Sequence, residues 1–138
     1  MWLVDSSRII DWMRRGRSPV RILRPFVLAG QTVTCSIVRV EVLRGIVNSA
    51  AHAEMTSLFD AIPEEPVDTE IGRQASALAW TLDRKGRVLP VSDLIIACCA
   101  LRARARLVTL DPHFESVPGL RIVKELPDLL FDAPAPSP

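Results

Sequence analysis

Long apolar runs are missing from this chain of 138 residues. None approaches the roughly 20 residues that a membrane-crossing helix needs, so no spanning segment is expected. The first residues reach an acid at Asp5 without the charged-then-apolar pattern of a secretory signal, and a cytoplasmic location is expected. Cysteine is scarce too. Cys35, Cys98 and Cys99 form no CxxC pair, have no histidine nearby and stand in apolar surroundings. That excludes a disulfide framework or a zinc site and leaves reduced packing residues. The two histidines, His52 and His113, are isolated from each other and from cysteine. A surface or structural role is expected for both, although His113 lies close enough behind Asp111 to approach a site there. No repeat or internal linker divides the chain, which reads as a single domain over 1–131. Residues 132–138 form a Pro-rich tail with little to bury, expected to be disordered.

What is present suits a soluble globular domain long enough to bury a sizeable core: 49% hydrophobic and 24% charged residues. The net charge of +1 hides an uneven distribution. Residues 1–45 carry +5, residues 46–70 carry −6, residues 71–110 carry +5, and the remainder sums to −3. Fifteen of the seventeen basic residues are arginine, the better fork for phosphate. Charge alone permits a basic face for nucleic acid and equally permits solvated helix faces.

Short strands alternate with helices. Residues 2–4 are apolar and close on Asp5, a buried first strand with an acid at its carboxyl end and a serine capping the next helix. Ile9, Ile10, Trp12 and Met13 give that helix its apolar side, and Gly16 stops it. A second helix spans about 20–29, bent at Pro25, and residues 32–34 are strand two. Ser36 then caps a helix expected to turn Ile37, Val40, Leu43, Ile46 and Val47 inward, with Glu41 beside the stripe. A helix over 48–62, a turn and brief third strand over 64–68, and a long helix over 69–85 follow. Residues 89–111 are the most informative. Ser92 reads as an N-cap, Asp93 lies in the first turn, and eight unbroken apolar residues run from Leu94 to Leu101. Arg102, Arg104 and Arg106 crowd the far end, where positive charge suits the helix dipole. Residues 107–109 are an inner strand that stops at Asp111 and Pro112. Residues 120–123 are a last strand and 124–131 a short amphipathic helix.

This alternation predicts a parallel sheet covered on both faces, with ligands bound beyond the carboxyl ends of the strands at the switch point. Asp5, Glu41, Asp93 and Asp111, from four separated stretches, can meet there. Several carboxylates within a few ångströms repel unless a cation enters. Oxygen ligands without cysteine or histidine select Mg²⁺ or Mn²⁺, ions that activate water and offset charge on a phosphodiester. Ser6, Ser92 and Thr109 stand near three of the acids and can orient them by hydrogen bonds.

The segments WLVDSS with Ile9, Ile10 and Asp11 behind it, VRVEVLRG, LPVSDLIIACCAL and LVTLDPHF resemble, in order and spacing, the four motif blocks of the PIN domain family. The likeness covers roughly residues 1–125 and is nearest to the VapC-type ribonuclease toxins of bacterial toxin–antitoxin pairs. The resemblance implies a three-layer α/β/α fold with a short parallel sheet of about five strands. It implies a Mg²⁺- or Mn²⁺-dependent endoribonuclease acting on RNA, its acidic quartet on Asp5, Glu41, Asp93 and Asp111. It further implies a homodimer and a small VapB-type antitoxin that blocks the site. Two positions depart from the family pattern. Ser6 stands where threonine is commonest, which keeps the hydroxyl. Arg8 stands where a small or apolar residue is usual. It is expected to pair with Asp11 and point to solvent; the other reading has it reach the carboxylates or hold a substrate phosphate. A receiver-type phosphoacceptor domain is disfavoured, since Asp68 lies on the far side of Val67 and no suitable lysine follows strand four. A DxD-type phosphatase would need an acid at Ser7. The remaining rival is a PIN fold kept as a non-catalytic RNA- or protein-binding module.

Overall fold

The computed structural model describes residues 1–128. Four parallel strands lie in the order β2-β1-β3-β4: β1 Trp2–Val4, β2 Thr32–Val33, β3 Arg106–Val108 and β4 Ile122–Val123. Leu3 pairs with Val33 on one side and Leu107 on the other, and Leu107 pairs in turn with Ile122. Parallel strands need crossovers, and six helices supply them: α1 Ser6–Arg14, α2 Pro19–Leu28, α3 Ser36–Leu43, α4 Ser49–Ala61, α5 Thr69–Arg84 and α6 Val91–Arg102. The helices flank the sheet, the expected three-layer arrangement, and the strands are few and short. Their burial explains their composition: Leu3, Leu107 and Val108 are fully enclosed, each such side chain contributing about 1.5–3 kcal/mol.

The topology sets the site. From β1 the chain crosses to β2 on one side; from β3 it crosses to β4 on the other. The carboxyl ends of β1 and β3 therefore flank a crevice from which the two connections diverge. Asp5 directly follows β1, and Asp111 follows β3 and opens a 3-10 turn, Pro112–Ser116. The helix that feeds β3 is α6, whose Leu94, Ile96, Ala97, Cys98, Cys99 and Ala100 are all buried. Its unbroken apolar run is thus a helix enclosed on most sides, packed on α5 and α3. Cys35, Cys98 and Cys99 are free and buried, as expected.

Several local expectations change. The stretch over 64–68 forms no strand, only a bridge from Thr34 to Glu64. Its acids instead take ion pairs: Arg39 binds Glu64 at 3.0 Å as well as Asp60 of α4 at 2.8 Å, and Arg102 binds Glu65 and Asp68. Asp68 also caps α5 by accepting from the Ile71 amide at 3.0 Å. Helix α3 buries Val38 and Val42, while Val40 and Val47 are exposed. Apolar residues occur on both sides of this segment, and the register that turns Glu41 toward Ser6 wins. Neither Ser36 nor Ser92 caps a helix: the N-cap positions are Cys35 and Pro90. Likewise the N-cap of α1 is Asp5. No helix forms over 124–128. The rest of that expected helix and the Pro-rich tail lie outside the described residues.

Candidate metal centre

Asp5 is 4% exposed, the most enclosed acid of the quartet. Its amide donates to the Val108 carbonyl at 2.9 Å, which ties the end of β1 to the end of β3. One carboxylate oxygen, Oδ2, accepts from Ser7 Oγ at 2.7 Å and from Thr109 Oγ1 at 2.9 Å. Each hydroxyl has a single proton, so with both donated to Asp5 the 3.2 Å approach of Ser7 to Thr109 is a contact between acceptors. Their lone pairs are used as well: the Leu110 amide donates to Ser7 Oγ at 3.2 Å, and the Asp111 amide donates to Thr109 Oγ1 at 3.0 Å. Two relays thus run from the backbone after β3, through a hydroxyl, to one oxygen of Asp5. They fix the carboxylate through that oxygen and leave the other without a hydrogen-bond partner among the described residues.

Glu41 arrives from α3 and accepts from Ser6 Oγ at 3.2 Å. Burial raises its carboxyl above the ordinary range and the Asp5 charge adds to this, while the Ser6 bond opposes it. Asp93 sits in the first turn of α6, its side chain 13% exposed. Burial first, then the charges of Asp111, Asp5 and Glu41, push it up to about 6, with His113 acting the other way. Asp111, Asp5 and Glu41 are therefore all close enough to act on Asp93. Asp111 Oδ1 accepts the His113 amide at 2.9 Å, which caps the 3-10 turn and holds the side chain at the crevice.

His113 joins them. Its Nδ1 lies 3.2 Å from Asp111 Oδ1 and 3.9 Å from Asp93 Oδ2. Asp93, Asp111 and His113 each offer a ligand atom, all within 4.8 Å of one another. This set, with Asp5 beside it, can hold a divalent cation. The predominance of carboxylate oxygen fits a hard ion, and the mutual repulsion of the acids is the term such an ion would relieve.

Two of the expected hydroxyls, Ser6 and Thr109, do orient site acids. Ser92 does not: its side chain makes no hydrogen bond among the described residues. Ser7 takes that part, a contact across 103 positions to Leu110 that no local pattern signals. Arg8 corrects the solvent-facing expectation. It does pair with Asp11, at 2.9 Å, but its side chain is only 8% exposed. Its other terminal nitrogen holds Glu125 at 3.1 Å, and the guanidinium lies 5.4 Å from the centre of the Trp12 ring. A partner far along the chain and an aromatic face make burial tolerable for this cation. Both terminal nitrogens are engaged there, and among the described residues Arg8 makes no ion pair with Asp5, Glu41, Asp93 or Asp111. Arg8→Met should therefore leave Mn²⁺ affinity unchanged in calorimetric titration; a clear tightening would show that the guanidinium competes with the ion.

The PIN domain family model matches residues 2–120. A VapC ribonuclease of Mycobacterium bovis is 26% identical over 122 residues, spanning 85% of this chain and 91% of that protein. Ribonuclease VapC11 of Mycobacterium tuberculosis gives the same figures. Among solved structures, the DNA-bound VapBC of Salmonella typhimurium superposes with a TM-score of 0.73 at 22% identity, covering 88% of this chain and 96% of that one. Rickettsia felis VapBC2, bound to a promoter DNA fragment, gives 0.72 at 18% identity with the same coverage. The fold, the spacing of the acids and the matched span agree: this chain belongs to the PIN domain family.

Proposed function

We propose that this protein is a metal-dependent endoribonuclease, cutting single-stranded or structured RNA with Mg²⁺ or Mn²⁺, and that it is the toxin of a toxin–antitoxin pair. The observation that carries the reading is the cluster of Asp93, Asp111 and His113 within 4.8 Å of one another, with Asp5 and Glu41 near enough to act on Asp93, beside the switch point between β1 and β3. Relatives named as ribonucleases support RNA as the substrate. Neighbours solved as VapBC assemblies support a small VapB-type antitoxin. A homodimer working in the cytoplasm completes the proposal; no helix among the described residues is long and apolar enough to cross a membrane.

Asp5, Asp93 and Asp111 would hold the cation, with His113 beside them. When bound, the ion supplies acidity to water and offsets charge growing on the phosphodiester. The chain's own residues do the positioning. Ser7 and Thr109 fix the Asp5 carboxylate, and Ser6 aims Glu41. Glu41, raised above its ordinary range, either shares in holding the cation or orients the attacking water and accepts its proton at a carboxylate oxygen.

Purified protein should cut RNA with Mg²⁺ or Mn²⁺ and stop with EDTA. Asp5→Ala should reduce the rate on the order of 100-fold or more. RNA that is bound but left intact with either metal would replace this reading with the non-catalytic binding module.

A further inference from the structure

The acids occupy the carboxyl edge of the sheet. At its amino edge lies a cleft of about 600 Å³ that the site above does not use. Met1, Trp2, Leu101, Arg104, Arg106 and Arg121 line it, and no acid among the described residues does. Arg106 opens β3 and donates its amide to the Met1 carbonyl at 2.9 Å; Arg121, just before β4, accepts the Leu107 amide at 2.9 Å. The three arginines are thus fixed at the starts of neighbouring strands. All three are exposed, and none makes an ion pair among the described residues, whereas Arg8, Arg39 and Arg102 do. Arg106 also stacks 5.4 Å from the centre of the Trp2 ring.

Arg104 carries a second, independent signal. Four helices end with the same pair of backbone bonds, closed by Arg17 on Trp12, Gln31 on Phe26, Arg87 on Leu82 and Ala105 on Ala100. The residue before each closure must be left-handed. At the ends of α1, α2 and α5 it is Gly16, Gly30 and Gly86, with φ of 71°, 67° and 72°. At the end of α6 it is Arg104, with φ of 52°. Glycine would adopt this conformation freely, and an L side chain is strained there. The one strained cap of the four presents its side chain to the basic cleft.

We propose that this cleft is a binding site for nucleic-acid phosphates, holding the RNA strand beyond the segment that is cut. The proposal rests on the ribonuclease reading and extends it. Unpaired, rigidly based guanidinium groups suit phosphate oxygens, and the Arg106–Trp2 pair offers a flat face to a base. The acids and the cleft lie at opposite ends of the same short strands, with helices on the faces between them. An RNA strand therefore reaches from one to the other over the outside of a helical layer, and only an RNA longer than the cleaved segment engages both.

Fluorescence anisotropy of a labelled single-stranded RNA, titrated with the full chain in EDTA at several salt concentrations, tests it. Each phosphate contact on a single strand contributes a slope of about 0.7 in log affinity against log salt. The combined variant Arg104→Gly, Arg106→Ala, Arg121→Ala should flatten the slope by about 2 and weaken binding by roughly tenfold at low salt. It should also lose the affinity that the wild type gains when the RNA is lengthened. Arg104→Gly alone should weaken binding while its melting temperature stays equal or rises, which separates lost contact from lost fold. An unchanged slope and length dependence in the combined variant overturns the proposal, as would a cleft that takes an acidic protein segment and leaves RNA binding untouched. Because binding is read in EDTA, the result is independent of cleavage: an unaltered slope with normal cutting removes the cleft alone, and an altered slope without cutting removes only the nuclease reading.

Discussion

Asp93→Asn is expected to abolish RNA cleavage and, in the metal-free protein at pH 7.5, to raise the melting temperature. The two effects share one cause. Asp93 is half-buried near Asp111, Asp5 and Glu41, and its carboxyl is pushed up to about 6 from the ordinary 3.8. In the unfolded chain the group has its ordinary value. Between these two pH values the folded protein holds a proton that the unfolded chain has released, so stability falls as pH rises. The favourable contribution is complete below about 3.8 and lost once pH passes through about 6. Above that, the charged group weighs against the fold, and asparagine, similar in shape, removes the charge. The rise from 3.8 to about 6 bounds the gain at about 3 kcal/mol, and partial solvation brings the expected figure to about 1–3 kcal/mol. Melting curves at pH 7.5 and pH 4 check the sign: the advantage of the variant should shrink toward zero in acid. Adding Mn²⁺ should reverse the order, stabilising the wild type through binding to the folded state and the variant far less. A variant less stable than wild type at pH 7.5 without metal would mean that Asp93 is satisfied by its surroundings and is not held ready for a cation.

The acids were legible in the sequence because two separate regularities point to them. Asp5 and Asp111 end apolar runs too short for helices, and in a parallel sheet such ends gather at one edge. Asp93 precedes an apolar run that only an enclosed helix accommodates. Contacts between distant segments were not legible. Exposure preference sends Arg8 to solvent, yet Glu125 and Trp12 retain it; nothing near Arg8 announces a partner 117 positions away. Hydropathy along α3 allows two faces, and the choice of Val38 and Val42 follows from where Glu41 must point. In the sequence His113 reads as an isolated histidine whose spacing to Asp111 allows it to approach a site there, and nothing in the sequence places it beside Asp93. Its proximity to Asp93 comes from the packing of α6 beside the 3-10 turn, not from its spacing to Asp111. Sequence order located the charges, while tertiary contact selected which hydroxyls and which arginines serve them.

That selection makes Thr109 the sharpest test of how the site is held. Thr109→Val should lower cleavage by roughly 10–100-fold with every acid still in place. Threonine and valine have nearly the same shape, so the core around this 2% exposed residue stays filled; what changes is the hydroxyl. Its loss removes the 2.9 Å donor to Asp5 and leaves the Asp111 amide, 3.0 Å away, without its acceptor. A half-buried amide stripped of its partner costs about 1 kcal/mol, the low end of the range for a fully buried one, so the melting temperature should fall slightly as well. Ser7 still donates to Asp5, which keeps the carboxylate near its position but frees it to rotate about one bond. Loss of orientation at a metal ligand appears first as weaker ion binding. The deficit should therefore narrow as Mn²⁺ is raised, whereas Asp5→Ala should stay inactive at every concentration. Thr109→Ser separates hydroxyl from methyl, since it keeps both hydrogen bonds and should recover most of the cleavage rate. If the serine variant is as impaired as the valine, Thr109 acts through packing, and the relay from the backbone after β3 to Asp5 has no part in holding the metal centre.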